Sequence, residues 1–376
     1  MPPYDLTERE GTRMLRPFAA ALIAVACFTA AAASAAAPEA PGTVTVIAKG
    51  LNNPRQVTVA PSGAIYVAEA GKAGPTCPTK DVCLGFSSAV TRVVGGKATR
   101  VLGLLPSLGG RDGSFTTGAD GVSVADDGTL FVAMTGAPCG TKVPAPAARF
   151  VGKILRKAGT AGPRPVADIT ALECRSNPDH TDRNPNPYAV LALSPTRTIA
   201  VDAGGNTLYD VNGSRAKLLA VLPKLPNGAQ SVPTSIAIGR DGAYYVGEFG
   251  GEAKKPVKNA ARVFRVDPAS GKVRVAARGF NAITGLAFDT DGNMYVTEAS
   301  LDPRNQNEFR GDVVKVAADG GARTRLGIGK LFFPAGAAIG KDGHLYVSNY
   351  SVLPASTPKK SPFRGAGGQL VRVALS

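Results

Sequence analysis

The sequence predicts an all-β chain folded as a six-bladed β-propeller with four strands per blade. Three observations predict it: one hairpin occurs six times, a second strand pair follows nearly every copy, and the last copy lacks a strand that the N-terminal side has to spare. The clearest copy is 281–299, NAITGLAFDTDGNMYVTEA, in which an apolar strand, a turn around Asp-Gly and a second strand ending Tyr-Val-x-Glu succeed one another. The same frame runs through 53–70 (NPRQVTVAPSGAIYVAEA), 118–135 (GADGVSVADDGTLFVAMT), 231–249 (SVPTSIAIGRDGAYYVGEF) and 333–350 (FPAGAAIGKDGHLYVSNY). A sixth copy, 186–204 (NPYAVLALSPTRTIAVDAG), keeps both strands but has Pro195-Thr196-Arg197 in place of a turn glycine. Self-similarity at intervals of about 45 to 70 residues is the mark of a repeat architecture rather than of two unrelated domains.

Each copy supplies strands A and B of a blade, and the strands between copies supply C and D. In order, C and D are expected at 89–94 and 98–102, 151–156 and 165–170, 207–211 and 216–221, 262–266 and 272–276, and 312–316 and 322–326. The sixth unit has only a C strand, at 369–373, before the chain stops. The lone β-pattern at 43–48 (TVTVIA) is therefore expected as the outermost strand of the last blade, closing the ring and leaving no bare edge there. The propeller is expected to occupy 43–376 as one domain. Its 45 Gly and 29 Pro fit many short strands and turns, and no long segment has helical periodicity.

Loop length distinguishes the two faces. The A–B and C–D connections are tight turns. The B–C loops and D–A crossings open on the other face and hold all the long insertions, at 71–88, 136–150, 171–187, 250–260, 300–311 and 350–367. Unequal loops on one end of a rigid ring are the expected location of function.

The first 36 residues have a different composition. Met14-Leu15-Arg16 precedes an apolar run at 17–33 and an alanine-rich tract with Ala-x-Ala cleavage options, the pattern of a Sec-type signal peptide. The acidic stretch before it suits translation starting at Met14, and Cys27 lacks the preceding leucine of a lipoprotein box. A secreted, periplasmic or cell-envelope protein without a retained transmembrane helix is expected. Cys77, Cys83, Cys139 and Cys174 would remain, an even number without paired CxxC spacing, so two disulfides are expected rather than zinc. Loop positions pair Cys77 with Cys83 and Cys139 with Cys174. The net charge of +15 survives removal of residues 1–36, which carry three basic and three acidic residues. Export removes nucleic acid as a partner, and the scattered charges suit solubility, with an anionic envelope polymer or acidic ligand as the alternative.

Several runs resemble the ScyD/ScyE family of exported NHL-type propellers: Asn186-Pro187-Tyr188, the stretch 201–206 (VDAGGN) and above all 230–249 (QSVPTSIAIGRDGAYYVGEF). The resemblance covers nearly all of the chain after the leader. It implies an exported six-bladed propeller, without a settled reaction or accepted catalytic residues, and the pigment role behind the family's name does not transfer. The four cysteines look like additions to the family pattern.

Two residue sets could carry function. The polar position closing each B strand recurs as Glu69, Asp202, Glu248, Glu298 and Asn349, with Met134 breaking the series in blade 2. Such carboxylates at a channel mouth would take a divalent cation such as Ca²⁺; the preferred reading is that each ties its blade to the next through backbone N–H groups or an arginine. The A-strand starts differ from blade to blade, and Arg55, Asp120, Tyr188 and Thr234 are the ligand-binding candidates. The segment 177–186 (NPDHTDRNPN) is rich in oxygen but lacks the glycine and final glutamate of an EF-hand loop, so it is read as a turn-rich loop, with a bound cation as the alternative. Of two histidines, His344 is expected in solvent, and His180 has no nucleophile motif to serve. The expected function is binding of a small molecule, polymer or partner protein by a monomer through the long-loop face. The alternative is a lactonase-like, divalent-metal-dependent hydrolase or lyase using the acidic positions.

Overall fold

The computed structural model describes residues 39–77, 79–251, 256–305, 308–361 and 363–375. The signal segment expected at 1–36 and the Lys254-Lys255 cluster lie outside the described residues. Residues 39–375 contain six four-stranded antiparallel sheets. From strand A outward, blade 1 is Pro54–Val59, Ile65–Glu69, Val82–Val94 and Lys97–Gly110. Blade 2 is Ala119–Val124, Leu130–Met134, Lys153–Lys157 and Arg164–Asp168, and blade 3 is Pro187–Ser194, Arg197–Asp202, Thr207–Asn212 and Arg215–Val221. Blade 4 is Pro233–Ile238, Tyr244–Glu248, Ala261–Val266 and Val273–Phe280, and blade 5 is Ile283–Phe288, Met294–Glu298, Arg310–Val316 and Arg323–Phe332. Blade 6 combines Ala335–Ile339, Leu345–Asn349 and Gly368–Val373 with Val44–Leu51, which pairs antiparallel to Gly368–Val373 with Val44 opposite Val373. The ring is thus closed by the N-terminal strand, as expected.

Packing between blades holds the ring together. Each hydrophobic cluster straddles one blade boundary: Val90 and Leu105 of blade 1 meet Val132 and Met134 of blade 2, and Val67 of blade 1 meets Leu370 of blade 6 across the closure. Strand alternation produces this, since an antiparallel blade covered on both faces needs apolar side chains pointing both ways. Five of the six A–B turns carry a glycine with φ between +72° and +91°, at Gly63, Gly128, Gly242, Gly292 and Gly343. Glycine adopts that conformation without Cβ strain, which explains why it recurs in the repeat. Blade 3 makes the turn through Pro195 and Thr196 instead, with Ser194 Oγ accepting the N–H groups of Thr196 and Arg197.

Two elements differ from the sequence expectation. The C and D strands of blade 1 are 13 and 14 residues long, so much of the expected 71–88 loop is strand. Gly85 and Ser88 looked like loop residues; they sit at register shifts in a ladder that continues to Val82 opposite Gly110. In blade 2, strand D ends at Asp168, which caps an eight-residue helix, α2 (Ile169–Ser176), by accepting Ala171 N–H at 2.9 Å. A shorter helix, α1 (Ala145–Ala148), lies in the 136–150 insertion. Both disulfides form as paired from loop positions, Cys77–Cys83 and Cys139–Cys174. Among the described residues, no helix is long and apolar enough to cross a membrane.

Candidate functional site

The five polar residues closing B strands are all buried, and each reaches back to the segment that leads into its own blade. Asn52 N–H donates to Glu69 at 2.6 Å, Asn186 N–H to Asp202 at 2.6 Å, Asn281 N–H to Glu298 at 2.6 Å and Phe332 N–H to Asn349 at 2.7 Å. Glu248 instead accepts Ser231 Oγ at 2.8 Å and holds Arg262 at 2.5 and 3.0 Å. The tie thus runs to the segment arriving from the preceding blade, and in blade 6 to Phe332 at the end of blade 5 itself. Glu298 is pushed up to about 7 by burial, with Asp312 beside it adding to the shift and Arg325 opposing it. Among the described residues, no three His, Cys, Asp or Glu side chains are placed to share a metal ion. His344, expected in solvent, is half-buried and accepts Leu375 N–H.

All six A strands line the central channel, whose outer half encloses about 270 Å³ on the side of the A–B turns. Gln56 also lines it, and its side-chain amide donates to the carbonyls of Thr234 at 2.6 Å and Thr284 at 2.9 Å, in blades 4 and 5. One side chain thus ties blade 1 across the axis, a feature that an unremarkable Gln in the sequence did not signal. Next to it, Arg55 donates to Ser351 O at 2.6 Å and Thr116 O at 2.7 Å, and its Nε lies 3.4 Å from Asp120. Burial pushes Asp120 up to about 6 despite the opposing charge of Arg55. Tyr188 is close enough to feel both charges, and its phenol is pushed up to about 12 by burial. The structure therefore brings Arg55, Asp120 and Tyr188 together. Thr234 is engaged elsewhere, donating to Ile283 O at 2.5 Å.

The long-loop face holds a second feature. Between blades 1 and 2 lies a cavity of about 350 Å³ with largely apolar walls, among them Leu84, Leu108, Met134, Val143 and Val151. Met134 occupies the position that is acidic or Asn in the other five blades, so the break in the series coincides with a cavity. Both disulfides brace it: Cys83 lies between the wall residues Val82 and Leu84, and Cys139 between Ala137 and Thr141. Thr117, also in the wall, is two residues from Phe115, which is 59% exposed and packs edge-on against Phe333 at 6.2 Å. Phe309 and Phe363 extend that aromatic patch. Sequence reasoning missed both features because their residues come from separate insertions.

Comparison with known proteins agrees with this architecture. Residues 166–352 match an SMP-30/gluconolactonase/LRE-like region. The chain is a six-bladed propeller, and part of it is similar to that region. Among solved structures, a streptogramin B lyase aligns at 9% identity, covering 89% of this chain and 98% of the lyase, with a TM-score of 0.50. A catalytically inactive virginiamycin B lyase from Staphylococcus aureus, solved with quinupristin, aligns at 13% identity over 89% of this chain and 99% of its own, with a TM-score of 0.47. A nidogen/laminin complex gives 12% identity, 72% and 85% coverage and a TM-score of 0.45. At such identities the likeness is one of fold alone. No curated protein sequence matches the chain.

Proposed function

We propose that this protein is a binding propeller that takes a small, largely apolar molecule on its long-loop face, in the cavity between blades 1 and 2. The observation that carries the reading is the coincidence of that cavity with the single break in the B-strand series at Met134. A position repeated in five blades serves construction, and the blade that departs from it is free to do something else. The volume lies at the lower end of the range for small-molecule sites, and apolar walls with a few polar groups are their usual character. Lys142 at the wall, in a chain of net charge +15, favours a ligand with an anionic group. Two disulfides beside the cavity fit an oxidising compartment, and secretion through the leader at 1–36 belongs to the same proposal. The runs at 186–188, 201–206 and 230–249 support placement near the ScyD/ScyE proteins.

Titration with 1-anilinonaphthalene-8-sulfonate, an apolar anion, tests the reading. One site per chain is expected, lost in Val143→Arg, whose charge would project into the cavity. Absence of saturable binding, or binding unchanged in Val143→Arg, overturns it.

A second reading, hydrolase or lyase chemistry, draws on Asp120, whose two carboxylate oxygens are buried without hydrogen-bond partners beside Arg55. Turnover of lactone or streptogramin B substrates that disappears in Asp120→Asn would favour it over binding alone.

A further inference from the structure

Away from that cavity, a group of buried oxygens lies where α2 meets blade 3. Glu173, the one carboxylate of α2, is fully buried, and neither of its oxygens has a hydrogen-bond partner. Asp202 is also fully buried; its Oδ1 accepts the N–H groups of Asn186 and Gly204, while Oδ2 has no partner. The hydroxyls of Thr207 and Tyr209, buried a few residues further on, are unpartnered too. The two hydroxyls lie within reach of each other, which leaves the carboxylates; a buried polar atom without a partner costs about 1–3 kcal/mol, so two such carboxylates side by side call for a compensating group.

Gly205 shows how closely the two carboxylates converge. A Cβ at this position would stand 2.7 Å from Glu173 Oε2 and 2.9 Å from Asp202 Oδ2, so the two oxygens flank the same point. Gly205 is not in the left-handed region, so the backbone does not demand glycine there. What demands it is the close approach of the two carboxylates to its backbone. The surroundings are anionic: Asp179 and Asp182 add to the field at Glu173, and Arg183 opposes it. Burial, then Asp202 and the other acidic neighbours, push Glu173 up to about 7 despite Arg183, as happens where two carboxylates share a site.

We propose that the gap between Glu173 and Asp202 is a structural site for a hard divalent cation of the calcium type, with the two carboxylates as charged ligands and Thr207 supplying a neutral oxygen. The ion would fasten α2 and the 177–186 loop to blade 3, adding to the tie that Cys139–Cys174 makes from the other side of the helix sequence. An all-oxygen donor set suits calcium, and two carboxylates correspond to the weak class of extracellular sites, with Kd on the order of 10⁻⁴–10⁻³ M.

The test uses the full chain after chelation and dialysis, with calorimetric titration of CaCl₂ and MgCl₂ and thermal melting at pH 8 with and without each salt. Calcium is expected to bind once per chain and to raise Tm by several degrees. Glu173→Gln removes a charged ligand, and Gly205→Ala leaves both carboxylates in the chain but pushes them apart with its Cβ; each is expected to abolish the calcium-dependent rise. If calcium leaves wild-type Tm unchanged, or raises it equally in both variants, the site is refuted. A wild type indifferent to calcium beside a Glu173→Gln variant that melts higher would identify Glu173 as a buried protonated acid instead. Dye binding between blades 1 and 2 is read separately, so failure of either proposal leaves the other standing.

Discussion

Glu248 is the residue at which a metal role and a structural role make opposite predictions. Its carboxylate is fully buried and accepts three hydrogen bonds, one from Ser231 and two from Arg262, whose guanidinium also stands 4.7 Å from the centre of the Phe264 ring. Glu248→Ala would strand a buried guanidinium. Removing one partner of a buried pair costs about 3–5 kcal/mol, and the lower end applies because Arg262 also donates to the carbonyls of Pro223 and Lys224. About 3 kcal/mol corresponds to a fall in Tm of roughly 4 °C for a domain of this size. Glu248→Gln should lose less, and adding Arg262→Met to it should recover part of the loss, because the stranded charge goes with the arginine. Thermal melting and urea unfolding measure these effects, with elemental analysis of dialysed wild type and variant alongside. A Glu248→Ala protein that melts with the wild type, or that loses a stoichiometric divalent ion, refutes the structural role.

Three further outcomes are expected. Replacing Cys139 and Cys174 with alanine should cost more than replacing Cys77 and Cys83: loop separations of 35 and 6 residues correspond to about 4 and about 2 kcal/mol of chain entropy, measured by urea unfolding. Asp120, raised from 3.8 to about 6 when folded, holds a proton that the unfolded chain gives up earlier. Its contribution is complete below pH 3.8 and fades as pH rises to about 6, so Asp120→Asn should remove up to about 3 kcal/mol of falling stability across that window in unfolding experiments at successive pH values. A chain lacking residues 39–51 should expose the edge of Gly368–Val373 and self-associate in size-exclusion chromatography; a stable monomer would show that Val44–Leu51 is dispensable for closure.

Much of the fold was legible because a propeller is built from local units. Strands A and B lie side by side in sequence and in space, so the pattern 281–299, seen once, identified five others, and the count of strands implied the closure by Val44–Leu51. Where blade 1 departs from the repeat, the same reasoning failed: the partners of Val82 to Ser88 lie across a hairpin whose length Gly85 disguises. Helix α2 carried a legible cap at Asp168, but eight residues provide too short a periodicity to announce a helix.

The candidate sites divide along the same line. Arg55, Asp120 and Tyr188 could be placed together because their positions in the repeat all begin A strands, which converge on the axis. Thr234 shares that position, yet its hydroxyl is committed to Ile283 O, an outcome set by the fit between blades 4 and 5. Sequence alone determined the blade count, the closure, the disulfide pairing and the face with the long loops, since each follows from order along the chain. Tertiary structure alone decided that Gln56 ties the axis, that Met134 opens onto an apolar cavity, and that Glu173 meets Asp202 across Gly205. Those pairings join residues from different blades or insertions, and only packing of the closed ring decides which unlike loops become neighbours.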